Sequence, residues 1–461
     1  MRSIFLMDIK SSDSRWVFPL GLVGIGLLIF IWPIPHTISI RDALLLSLLG
    51  VFGYLAYRAR PSFVWLRELR LPLSLYLILT LWLFIVALAI SHETAWSLGE
   101  IRGQWLKGLV ALSAGMLVAL SVPPGTRPAK LVLMAIFLAL LIHILYLDFA
   151  ALETFIRHGG LPRRIGGLTE GPDRISYLAN ILIAILLAEI LYRLGLGRRS
   201  GYLPLGRGLL IGILVLTLFS AYIIQLRNGV IPLVLMGAVF VVLYYRQNPL
   251  RMRKPVHVTI SMLIVSSIAL VAYVGTASDS RWRDFLDTIP VALDTETHKA
   301  WLDWDKYPKP VMSNGRQVNQ SNYVRIAWFK EGSLLVLEHP LGVGFGREAF
   351  EVGLRQKYGE GRGYSHSGIL DLAVGTGVPG AVLWLGFLGS LFYAAYRCFA
   401  GSGNYHSMLL MFLIADFGSR MFVDSIIRDH MLQQFLFLAG LVAVTMYIER
   451  RRGPEQDIAR A

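Results

Sequence analysis

The sequence predicts an all-α integral membrane protein of about twelve transmembrane helices, with a long, partly helical outer loop before the last three. Three observations carry this reading. Apolar residues make up 55% of the 461 and charged residues only 16%, giving a mean hydropathy of +0.57. Apolar runs of about 20 residues, enough to cross a hydrocarbon layer of about 30 Å, recur along the chain. The short loops beside them alternate between rich and poor in Lys and Arg.

In order, the runs fall near 16–34, 42–57, 71–90, 104–122, 131–150, 174–193, 208–224, 229–245, 256–275, 378–396, 407–421 and 431–448. The first begins only after Arg15 and no small-x-small cleavage site follows, so it reads as a retained span. The second is short and reads as partly tilted or half covered by its neighbours. One set of loops carries Arg58, Arg60, Arg67 and Arg70; Arg127 and Lys130; Arg193, Arg198, Arg199 and Arg207; and Arg246, Arg251, Arg253 and Lys254. Arg397 and Arg450, Arg451 and Arg452 continue it. The positive-inside rule puts this set and both termini in the cytoplasm. No inverted repeat of the transporter kind is visible.

Three regions follow: spans one to nine over 1–275, an outer loop with a histidine segment over 276–377, and the last three spans with a cytoplasmic tail over 378–461. The net charge of +14 does not point to nucleic acid, because the basic residues sit in short loops beside the spans. The single cysteine, Cys398, excludes a disulfide within the chain and reads as a packing residue. The loop from Thr276 to Ser367 is too long for a structureless connection. Its Trp282, Phe285, Trp301, Trp304 and Tyr307 suggest amphipathic helices lying on the bundle or in the interface.

Outward arginines are the first chemical signal. Arg163 and Arg164 lie in RHGGLPRRIGGLTEGPD, Arg227 in the tight turn QLRNG, and Arg325 in SNYVRIAWFK. Any one of them reads equally as snorkelling or ion-paired. Several on one side favour an anion, because guanidinium groups grip phosphate oxygens bidentately. A lipid-linked diphosphate is the anion found at that depth.

His366, in GRGYSHSGILDLAVGTGVPG, is the second signal. Ser365 is placed to cap a helix that runs to Gly375 and Gly377, with Pro379 in the first turn of the next. A histidine in a first turn is kept neutral by the helix dipole, as a general base must be. By position alone it reads as a capping or core histidine. HPLGVGFGREAF, with glycines at 342, 344 and 346, lacks the preceding strand of a dinucleotide fingerprint. A glycine turn ahead of a helix at Arg347 remains open as a phosphate-binding floor, beside plain loop geometry. Asp303-Trp304-Asp305 has the D-x-D form of metal-dependent transferases, but nucleotide sugars are cytoplasmic and this loop is outside. No HExxH, Cys pair or His cluster suggests a metal or other cofactor. Asp416, Arg420, Asp424 and Arg428 recur every four residues and are expected to share one helix face, mainly as structural pairs, with Arg420 or Arg428 as lesser candidates for the site.

On these residues the chain resembles the O-antigen ligase and O-antigen polymerase family of bacterial membrane glycosyltransferases. The likeness rests on QLRNG, SNYVRIAWF, HPLGVGFGREAF, and the spacing of His366, Leu370, Gly377 and Gly380. The family often has Asn after this histidine and Ser before the turn arginine, where this chain has Ser367 and Leu226. The resemblance implies an inverting, metal-independent O-antigen ligase at the periplasmic membrane face. Its donor would be O-antigen on undecaprenyl diphosphate, and its acceptor a sugar hydroxyl of lipid A-core. Arg163, Arg164, Arg227 and Arg325 would hold the diphosphate, and His366 would be the base. An O-antigen polymerase, a protein O-oligosaccharyltransferase and, from another class, a lipid or polysaccharide transporter are the alternatives.

Overall fold

The computed structural model describes residues 14–61, 63–122, 126–196, 201–247, 285–427 and 429–452. It is 78% helical, and among the described residues there are no strands. Fifteen α-helices are described. α1 (Ser14–Ile31), α2 (Ile38–Ala59), α3 (Val64–Ile85), α4 (Thr94–Glu100) and α5 (Leu106–Ser121) begin the bundle. α6 (Arg127–His158), α7 (Pro172–Leu196), α8 (Arg207–Ile224) and α9 (Arg227–Gln247) follow. α10 (Phe285–Leu293), α11 (Gln320–Glu338) and α12 (Ala349–Tyr358) form an outer segment. α13 (Gly368–Ser402), α14 (Tyr405–Arg420) and α15 (Asp429–Arg452) return to the bundle.

Among the described residues, nine helical stretches are long and apolar enough to cross a membrane. α1 and α14, of 18 and 16 residues, occupy the places of the first and eleventh expected spans. The expected span at 256–275 lies outside the described residues. The second span is not short: α2 has 22 residues. Cys398 is buried, as a packing residue would be.

α7 and α15 run through the middle, with 89% and 94% of their most apolar stretches buried. α5 and α15 meet in backbone contact. A Cβ at Gly115 would strike the Phe437 carbonyl, and one at Gly440 the Leu112 carbonyl. Small residues permit such approach where lipid offers no hydrophobic drive between helices. α3 ends in a π-helical turn at Val86–Ile90, and α4 enters α5 through another at Ile101–Trp105. These turns reset which residues face inward. Trp105 is thereby fully buried, stacked on Tyr76 at 5.0 Å, with its indole N–H donating to Thr80 Oγ1 at 2.9 Å.

Of the outer segment, α11 and α12 pack on α13 of the bundle. The segment folds around a core of its own, made by Trp301, Tyr323, Leu335, Phe350 and Val374 among others. The aromatics turn inward because their polar atoms find partners there. Trp301 Nε1 donates to the Thr295 carbonyl at 3.1 Å, and Tyr358 Oη to Glu331 Oε2 at 2.7 Å. Burial, and then the Glu331 carboxylate, push the Tyr358 phenol up to about 12, so it remains a donor at neutral pH. Trp282 lies outside the described residues.

A backbone seam joins this segment to the bundle. α13 is broken at Gly377 (φ 70°, ψ −179°), a conformation open to glycine. Val343 N–H donates to the Val374 carbonyl and Gly344 N–H to the Gly375 carbonyl, both at 3.0 Å. Val378 N–H donates to the Pro340 carbonyl at 2.9 Å. A Cβ at Gly377 would overlap the Pro340 carbonyl. The two glycine motifs are therefore the two sides of one backbone contact. Pro379 sits in the first turn after the break, where its missing N–H costs nothing.

Candidate active site

His366 stands at the outer end of α13, but not inside it. The helix begins at Gly368 with Ser367 at the cap position, and Ser367 makes no side-chain cap bond. The expectation that Ser365 caps the helix and that His366 rides in its first turn is corrected. Ser365 Oγ instead accepts Ser367 N–H at 3.1 Å and donates to the Ser367 carbonyl at 3.0 Å, closing a small loop around the histidine. His366 takes φ 58° within it. A left-handed non-glycine residue costs about 1–2 kcal/mol and persists only where its surroundings fix it.

Here they do. The imidazole stacks on Trp328 at 5.6 Å and 24°, and meets Tyr364 edge-on at 4.7 Å and 73°. Gly368 N–H donates to the Asp424 carbonyl at 3.0 Å and Ile369 N–H to the Met421 carbonyl at 3.2 Å. Ser365 N–H donates to Asp371 Oδ1 at 2.8 Å, and Ser425 Oγ donates to Asp371 Oδ2.

The elements that carry the candidate arginines are linked to this segment through Trp328, Asp424 and the turn before α9. Arg325, half buried, lies in α11, which Asn319 caps by accepting Asn322 N–H at 3.3 Å. It precedes Trp328 by three residues, so the two share a helix face about 4.5 Å apart along the axis. Arg227 opens α9 directly after the turn that Gln225 makes with φ 49°. Next to it, Asn228 Nδ2 donates to Asp424 Oδ2 at 2.5 Å. Asp424 thus bridges the arginine turn and the histidine segment. Arg163 and Arg164 are exposed. Arg164, at φ 59°, donates its backbone N–H to the Ile223 carbonyl at 3.2 Å, which brings that loop to the same turn.

The four-residue series from Asp416 does not share one face. α14 ends at Arg420, because the chain turns to deliver Asp424 to Asn228 and Gly368. Arg428 lies outside the described residues. Asp416 and Arg420 remain a buried pair at 4.0 Å. Asn180 Nδ2 donates to Asp416 Oδ1 at 2.9 Å and to the Gly229 carbonyl at 3.2 Å, and Arg420 donates to Ser176 Oγ at 3.1 Å. The pair supports the first turn of α9 from beneath.

HPLGVGFGREAF does not make a phosphate floor before Arg347. The N–H groups of Val343 and Gly344 are occupied by the seam, and α12 starts only at Ala349. Arg347 forks onto Glu100, at 3.0 Å to Oε1 and 3.2 Å to Oε2. Asp303 accepts Asp305 N–H at 3.1 Å and pairs with Arg362 at 3.0 Å, so Asp303-Trp304-Asp305 is a turn held by an ion pair. Among the described residues, no group of three or more His, Cys, Asp or Glu is placed to hold a metal.

Residues 212–385 match the family model described as O-antigen ligase. The chain carries an O-antigen ligase family domain. The match runs from α8 to just past the break in α13 and contains Arg227, Arg325 and His366; Arg163 and Arg164 precede it. No curated protein matches the chain. The match indicates an O-antigen ligase-type function in lipopolysaccharide biosynthesis and suggests a glycosyltransferase-like enzyme, and the apolar helices suggest a multi-pass membrane protein.

Sequence reasoning missed several residues that organise this candidate site. Trp328 was visible only as the aromatic after Arg325. Asp424 was counted in a periodic series, and its bridging position depends on where α14 stops. Asn228 and Asp371 carried no signal of their own.

Proposed function

We propose that the protein transfers O-antigen polysaccharide from undecaprenyl diphosphate to a sugar hydroxyl of lipid A-core, at the periplasmic face of the inner membrane. One observation carries this reading: His366 and the elements bearing Arg227, Arg325 and Arg164 meet at one end of the bundle, linked through Asp424 and Trp328. The leaving diphosphate gains charge in the transition state, and guanidinium groups stabilise such charge without a metal ion. The acceptor hydroxyl is a poor nucleophile until a base takes its proton, and His366 is the group at hand. Attack from the face opposite the diphosphate inverts the anomeric carbon.

The glycolipid profile of a deletion strain tests the reaction. Loss of a ligase leaves long polymer on the lipid carrier and none on the core; a core capped by a single repeat unit makes the protein a polymerase instead. Topology is tested by reporter fusions. Those near Arg198 and Arg253 are expected to read as cytoplasmic and one near Lys309 as periplasmic; a cytoplasmic signal at Lys309 puts His366 on the wrong side for this chemistry.

A further inference from the structure

The left-handed backbone at His366 raises the question of what holds it against the Arg227 turn. Stacking on Trp328 and the edge contact with Tyr364 hold the ring itself. Two segments distant in sequence have to be brought to one register: the loop around His366, and the Met421–Ile427 turn whose Asp424 holds Asn228. The Asp371 carboxylate spans both. Its Oδ1 accepts the N–H of Ser365, the residue before the histidine, at 2.8 Å. Its Oδ2 accepts the hydroxyl of Ser425, the residue after Asp424. Asp371 lies in the first turn of α13, where the positive helix end suits a carboxylate, and its own N–H donates to the Ser367 carbonyl at 2.9 Å. It is anchored while both of its oxygens reach outward.

We propose that Asp371 is a positioning residue that sets His366 in register with the Arg227 turn, by gripping Ser365 with one carboxylate oxygen and Ser425 with the other. The inference rests on His366 being the base, as read above. An amide at this position keeps the shape and the Ser365 bond, and its NH₂ can donate to the Ser425 hydroxyl in reverse. Alanine loses both arms and frees the histidine loop.

The test is a double-mutant cycle on the purified full-length protein reconstituted in lipid, with donor affinity and turnover measured separately. Asp371→Ala is expected to lower kcat at least 10-fold, with donor Kd within about threefold of wild type and the thermal transition retained. Asp371→Asn is expected to fall between, with a loss of at least threefold. The Asp371→Ala, His366→Ala protein is expected to be no slower than His366→Ala alone, because a residue acting through the histidine has nothing left to position. If the alanine protein does not survive purification, the cycle is run with Asp371→Asn. Turnover at wild-type level in the Asp371 variants, or losses that multiply in the double variant, overturn the proposal while His366 as base stands. Wild-type turnover in His366→Ala itself overturns the reading of the histidine, and the role of Asp371 with it.

Discussion

Replacing His366 with alanine is expected to lower turnover by about 10²–10⁴-fold, the usual range for a positioned acid or base. That corresponds to about 2.7–5.5 kcal/mol of lost transition-state stabilisation. Donor affinity should change far less, because the imidazole is proposed to serve the acceptor hydroxyl and not the diphosphate. Turnover is best followed with EDTA present, since the proposed chemistry uses no metal; loss of wild-type activity on chelation, restored by Mg²⁺ or Mn²⁺, would return attention to Asp303 and Asp305. The ring's setting between Trp328 and Tyr364 gives the experiment its contrast. A histidine that only fills that gap can be lost at the cost of some stability, with the rate unchanged, and such an outcome would leave an arginine-only electrostatic mechanism.

Arg227→Ala and Arg325→Ala are each expected to remove most ligation, about 10²–10³-fold in turnover, while the protein stays folded in the membrane. This is the usual loss when one fixed donor to a developing negative charge is taken away. Lysine should rescue poorly at either position, because a point charge on a flexible stem cannot reproduce the guanidinium fork. The positions differ in setting. Arg227 begins a helix at a tight turn, whereas Arg325 sits within one, a turn from Trp328. A lysine enzyme with full activity at both positions would mean that only net charge matters there, and would remove bidentate diphosphate binding from the account.

The spans were legible because lipid imposes a single requirement, an apolar run of sufficient length, and the chain states it plainly. The break before Pro379 was legible because few residues tolerate that backbone, and the turn at QLRNG because so few residues separate two spans. What surrounds His366 was not. Its left-handed φ is set by Asp371, Asp424 and Met421, and two of these lie more than 50 residues away in the chain. Ser365 and Ser367 are both plausible caps by type, and the choice between them is made by those distant contacts. The separate core of the outer segment was not legible, for a different reason. Aromatics without helical periodicity look the same whether they meet a membrane interface or a small core. Only their hydrogen-bond partners, such as the Thr295 carbonyl under Trp301, distinguish the two.

The break at Gly377 also acts as a depth gauge. Unbroken, the 35 residues of α13 would run about 52 Å, far beyond a hydrocarbon layer of about 30 Å. The stretch after the break, 378–402, covers about 37 Å and suits a tilted span. If that stretch is the span, the nine residues before it, about 14 Å along their own axis, would stand above the acyl chains with His366 at their tip. Bilayer thickness would then set how far the histidine stands from the proposed lipid-anchored donor, so turnover is expected to follow acyl-chain length in reconstituted vesicles; a rate indifferent to thickness would mean that the outer segment, and not the bilayer, fixes that distance.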